Sequence, residues 1–180
     1  MSQNPFLIGD EEGFTPHMSC LVGMMRYARK TTLDTVQGLS TAQLDHLHDP
    51  FSNTIGGLLL HIAAVEVWYQ ANTFDERKLT TTEQERWGVA LDLGEAARGK
   101  IQGHSLEYYL DVLEAVRACT LDEFRQRDDA WLAIERPFSG KQANNHFKWF
   151  HVFEDEINHR GQMRWLRKRL PGMAGQEVAR

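Results

Sequence analysis

Residues 52–74, SNTIGGLLLHIAAVEVWYQANTF, decide the fold. The run is too long for a strand. Ser52 and Asn53 at its start are good helix caps, so a helix is expected to begin there. Leu58, Leu59, Leu60, Ile62, Ala63, Val65 and Val67 place apolar side chains on nearly every side of it. A helix with no polar face has to lie deep in a core with other helices around it. Gly56 and Gly57 near its start would let another backbone come close.

The surrounding helices are legible on either side. From about 17 to 39, Leu21, Met24, Met25, Ala28, Thr32, Leu33 and Val36 recur at helical spacing. Ser40 to Gln43 has the form of a capping box and opens a short turn ending near Asp49-Pro50. Residues 75–103 are less regular. TTTEQERW predicts a short helix with Glu in its first turn, and Gly88, Gly94, Gly99 and Gly103 punctuate the rest. A third long helix is expected over 105–127, with Leu106, Tyr109, Leu110, Leu113, Val116 and Phe124 as its inner stripe. AWLAIERPFSG, residues 130–140, reads as an extended connection closed by Pro137 and Gly140. The last and longest helix is expected over 142–170, stopped by Pro171-Gly172. The sum is a single all-α domain over residues 1–180. It is an up-down four-helix bundle with an extra short helix and a longer crossover, an irregular arm at 1–16 and a frayed tail at 173–180.

Composition narrows the function. The chain has 180 residues, 42% of them hydrophobic and 25% charged, which is ordinary for a globular domain. Twenty Lys and Arg against 25 Asp and Glu leave a net charge of -5, so a basic face for nucleic acid is not expected. Cys20 and Cys119 are too few for a disulfide framework and suit a reducing compartment. The polar, acidic start is unlike a signal peptide, and the longest apolar stretch, 55–64, is far short of a membrane span. A cytoplasmic protein is expected, with no membrane partner.

The chemistry gathers in HVFEDEINHRGQMRWLRKRLPG, residues 151–172. His151, Asp155 and His159 follow at i, i+4 and i+8. Neighbours in such a row lie about 5–6 Å apart on one helix face and can share a metal ion, as in HExxH helices. His151 and His159 are too far apart for all three to converge, so a ligand must come from another helix, and His61 is the best placed. The pattern also has plainer readings. His61 could be a hydrogen-bonded core histidine, and Asp155, flanked by Glu154 and Glu156 with Arg160 and Arg164 downstream, could belong to an ion-paired helix surface. Glu156 sits where the Glu of an HExxH motif would, which makes it a candidate general base. Asn158, Glu66 and Gln162 are candidates to orient the ligands from behind, and His151 to line the pocket. His46 and His48 read as exposed loop residues, and Trp68, Tyr69, Trp149 and Trp165 as core. Arg164, Arg167, Lys168 and Arg169 suit a helix C-terminus.

LLLHIAAVEVWY together with WFHVFEDEINHRGQMRWLRKRLPG resembles the DinB/YfiT-like superfamily of four-helix metal-binding proteins. There, an apolar second helix carries a mid-helix His, and the last helix carries a His or acidic residue four positions before a His. That His is commonly followed by Arg-Gly-Gln, here Arg160-Gly161-Gln162. The resemblance implies His61, Asp155 and His159 as ligands of one divalent transition metal. Most members have a third His where this chain has Asp155. Two imidazoles and a carboxylate suit Zn²⁺ first, and also Ni²⁺, Mn²⁺ or Fe²⁺. The resemblance further implies a transferase of small molecules that uses bacillithiol, mycothiol or glutathione as co-substrate, and a homodimer. A stress-response protein that binds metal or a small ligand without turnover, and a metal-dependent hydrolase, are the alternatives.

Overall fold

A computed structural model describes residues 4–172 of the chain; the tail expected to fray, 173–180, lies outside them. Ten elements follow in order: α1 (Pro16–Val36), α2 (Thr41–Leu44), α3 (Ile55–Thr73), α4 (Thr81–Asp92), α5 (Gly94–Lys100), α6 (Leu106–Arg125), α7 (Asp129–Ala133), β1 (Glu135–Phe138), β2 (Lys141–Asn144) and α8 (Asn145–Arg167). The four long helices α1, α3, α6 and α8 form the bundle, with α3 packed on α4, α6 and α8, and α8 packed on α1. This is the all-α bundle expected, and α4 and α5 make up the longer crossover.

Cross-helix bonds give the directions. Thr73 meets Trp149 and His61 meets Asp155, so α3 and α8 run antiparallel. Arg29 meets Glu156 and Thr35 meets Arg164, so α1 and α8 run parallel. Glu66 meets Arg117 and Gln70 meets Thr120, so α3 and α6 are parallel as well. The chain still reverses at each step, because α4 is the return stroke between α3 and α6.

Local signals set most boundaries. The Ser40–Gln43 capping box forms, and a second one, Thr80–Glu83, opens α4. Thr54, one residue past the expected caps, accepts from Gly57 and starts α3. Pro16 stands in the first turn of α1, and the Asp129 carboxylate accepts from the free amides of His17 and Met18 at 3.1 Å each. The expected extended connection contains more structure than its sequence suggested. Residues 129–133 form α7, and β1 pairs with β2 in an antiparallel hairpin from Glu135↔Asn144 to Phe138↔Lys141. Ser139 and Gly140, both at positive φ, make its two-residue turn. Asn144 then caps α8, which begins three residues later than expected. Gly56 admits a side chain rather than a backbone. A Cβ there would lie 2.5 Å from the Tyr109 hydroxyl.

The core divides in two. One apolar cluster joins Met18, Leu21, Met25, Tyr69, Phe124, Trp149 and Phe153 at the end nearest the hairpin. The other joins Val36, Leu44, Leu58, Ile62, Trp87, Leu113, Met163 and Leu166 at the opposite end. Between them on every long helix stands a buried charge: Arg29 on α1, Glu66 on α3, Arg117 on α6 and Glu156 on α8. Leu33, expected on the inner stripe of α1, faces outward; Arg29 and Thr35 take buried positions instead.

Candidate metal centre

His61, Asp155 and His159 come together at the level of the charged layer. Each offers one donor atom, and the three atoms lie within 4.8 Å of one another. His61 Nε2 is 3.6 Å from Asp155 Oδ2, and His159 Nε2 is 3.3 Å from Asp155 Oδ1. The two imidazole rings stand nearly perpendicular, at 81°, with centroids 4.6 Å apart. Donors held at about 2.0–2.1 Å from a tetrahedral ion are themselves about 3.3 Å apart. The spacing therefore fits a single ion with little adjustment.

The second test is hydrogen bonding. Asp155 Oδ2 and His159 Nδ1 are buried with no hydrogen-bond partner among the described residues. Buried polar atoms without partners are costly, and a cation supplies what an orphaned carboxylate oxygen lacks. His61 is already set for ligation. Its Nδ1 lies 2.8 Å from the carbonyl of Ala90 on α4. A carbonyl only accepts, so the proton sits on Nδ1 and the Nε2 lone pair faces the cluster. Burial and the neighbouring His159 lower the His61 pKa, against the pull of Ala90 and Asp155 in the other direction. The imidazole is held neutral, the form that binds metal. The residues present fit a divalent ion.

The other candidates fall elsewhere. His151 stays outside the cluster; its Nδ1 is 3.4 Å from the Tyr69 hydroxyl. Burial, aided by the Asp155 charge, pushes that hydroxyl up to about 12, so Tyr69 remains a proton donor at neutral pH. Glu156 is no general base: it turns away from the cluster and meets Arg29 Nε at 2.9 Å. Glu66 is engaged by Arg117 at 2.7 Å and by Thr120 at 2.6 Å. Asn158 bonds Glu154, and Gln162 is exposed. None of the three hydrogen-bonds a ligand. The Ala90 carbonyl does, and a backbone atom leaves no trace in a search for polar side chains.

Tyr69 and Trp149 are core residues, as expected, whereas Trp165 is exposed and stacks edge-on with His48 at 4.7 Å. Arg164 and Arg167 reach across to Thr35 and Gln37 and tie down the end of α1. Trp68 floors an open groove of about 690 Å³ between α3 and α4, lined also by Leu79, Thr80, Gln84 and Glu85. Trp68 contacts Tyr69 edge-on at 4.8 Å.

The helical bundle places the protein in the DinB/YfiT-like class of metalloenzymes. Within that class the chain belongs to the mycothiol-S-transferase family, which matches residues 20–172. A crystal structure of a conserved protein from Enterococcus faecalis superposes with a TM-score of 0.65, covering 84% of this chain and 95% of that one. At 17% identity it shows the shared fold alone. No curated protein matches the chain. No helix among the described residues is long and apolar enough to cross a membrane.

Proposed function

We propose that the protein is a divalent-metal-dependent S-transferase that joins a low-molecular-weight thiol to a small electrophile. The family supports the transferase class. The observation that carries the metal is the orphaned buried oxygen, Asp155 Oδ2, inside a set of three convergent donors. His61, Asp155 and His159 would hold the ion, which when bound would supply Lewis acidity that lowers the pKa of a thiol. Three protein ligands leave room for one more, and Glu156 and Glu66, both engaged by arginines, are not free to act as base beside them. His61, held neutral and aimed inward, joins His159 and Asp155 in the donor set without adding charge of its own. Tyr69, protonated and in contact with His151, is placed to donate a hydrogen bond to a substrate bound over the cluster.

Zn²⁺ is the first choice of metal, with Ni²⁺, Mn²⁺ or Fe²⁺ compatible with the same ligands. Mycothiol, bacillithiol and glutathione are the thiols to compare. The reading also takes the protein as a cytoplasmic homodimer acting on small molecules, which light scattering on the purified chain checks for oligomeric state. The decisive test is elemental analysis of untagged protein beside Asp155→Ala. About one equivalent of transition metal, lost in the variant, is expected, followed by thiol-dependent turnover of an aryl halide. No metal after anaerobic reconstitution with all four ions would sink the proposal.

A further inference from the structure

We infer that Glu156, held by Arg29 and Arg117, is a positioning residue for Asp155, and that the buried four-charge layer sets the register in which α3 and α8 present their ligands. The inference rests on the metal-centre reading and deepens it. Arg29 Nε meets Glu156 at 2.9 Å and its other nitrogens meet Glu66 at 3.3 Å and the Leu113 carbonyl at 2.9 Å. Arg117 grips Glu66 at 2.7 and 3.0 Å, and also reaches Glu156 at 3.4 Å and the Met25 carbonyl at 3.2 Å. Two positive and two negative side chains, one from each long helix, thus satisfy one another away from water. With its guanidinium and carboxylate groups occupied in this way, the layer is not itself a ligand site.

Its place in the sequence gives it a role. Glu156 directly follows Asp155 and lies three residues before His159, while Glu66 lies five residues after His61. Both ligand-bearing helices are therefore pinned to the same two arginines within about a turn and a half of their ligands. Sliding α8 along α3 by one turn, about 5.4 Å, would strand an arginine from its carboxylate in the interior. Buried ion pairs add little net stability over apolar residues of the same volume, whereas they do discriminate against wrong registers. Asp155 needs such help. His61 is held from behind by Ala90, whereas Asp155 Oδ2 has no donor among the described residues, so its aim depends on where the backbone of α8 stands.

The test is a Co²⁺ titration of the full-length apoprotein, followed through the visible ligand-field bands, with circular dichroism and thermal midpoint as the check on folding. Four proteins are compared: wild type, Glu156→Gln, the double variant Arg29→Met with Glu156→Met, and Met18→Ala. The double variant removes a balanced pair and leaves Arg117 with Glu66, so it decides the matter if the single variant does not fold. Wild type is expected to take up one equivalent. The two layer variants should bind about 10–100-fold more weakly with displaced bands, the range typical of lost orienting contacts. Met18→Ala, destabilised in the distant apolar cluster, should keep the wild-type bands. Wild-type affinity and bands in a folded layer variant would overturn the positioning role, as would an equal displacement in Met18→Ala. Failure of wild type to bind Co²⁺ at all is a separate outcome, which overturns the metal centre and this inference with it.

Discussion

At the scale of single residues, the centre depends on a few atoms with no substitute nearby. His61→Ala or His159→Ala is expected to abolish stoichiometric metal binding; one equivalent retained in either variant, measured by elemental analysis, would contradict the ligand assignment. Gly56 presents a different kind of constraint. Gly56→Ala would place a methyl group 2.5 Å from the Tyr109 hydroxyl and 2.8 Å from its Cζ. Overpacking of this sort costs about 1–3 kcal/mol, read as a lower urea midpoint with unchanged slope. Tyr109→Phe should be close to neutral in the same assay, because the Tyr109 hydroxyl is buried with no hydrogen-bond partner among the described residues. Residue-level chemistry was partly legible in the sequence. The i, i+4 spacing of Asp155 and His159 and the lone His61 on an apolar helix pointed to a shared site. Glu156 was misleading for a physical reason. Its carboxylate is taken up by Arg29 and Arg117 from two other helices, partners that a local motif does not show.

At the scale of elements, ends were harder to read than middles. The Ser40–Gln43 box announced itself because both of its side chains are local. The N-terminus of α1 did not, since Asp129 lies more than a hundred residues away in sequence. Asp129→Ala should cost about 1 kcal/mol and speed hydrogen exchange in the first turn of α1, leaving α8 unaffected. Slow exchange at His17 and Met18 in that variant would show that another group caps the helix. The hairpin was hidden in a stretch with too few residues for alternation to show; its one clear mark, Ser139-Gly140 between two four-residue runs, is a turn signal easily passed over beside Pro137. Once Asn144 is taken as a cap, the start of α8 follows.

At the scale of the whole molecule, the charged layer couples stability to pH. Burial would raise the Glu66 pKa, yet Arg117, Arg29 and Thr120 together hold it below its usual range. A carboxyl whose folded pKa lies below its unfolded value stabilises the fold fully above the unfolded value, about 4.5, and loses that contribution as the pH falls towards the folded one. The urea midpoint is therefore expected to fall on acidification below about pH 4.5. Added salt should change it little near neutrality, because the pairs are buried. A midpoint that is flat with pH down to 3 would mean the layer carries no such linkage. The bundle as a whole was evident from the four periodic stretches. The layer was not, since a lone Arg or Glu on an inner stripe looks like a boundary error until its three partners are seen together.

The division of the core has a consequence for how the protein can change. Met18 and Leu166 lie in separate apolar clusters on the parallel pair α1 and α8, well over 20 Å apart by helix rise. Met18→Ala and Leu166→Ala should each cost about 2–5 kcal/mol, and their effects should add to within about 0.5 kcal/mol in a double-mutant cycle. Each half can then be remodelled on its own terms, with the shared middle layer as the keyed joint. A lineage could widen or reshape the end beside the hairpin for new substrates while the opposite end keeps the chain folded.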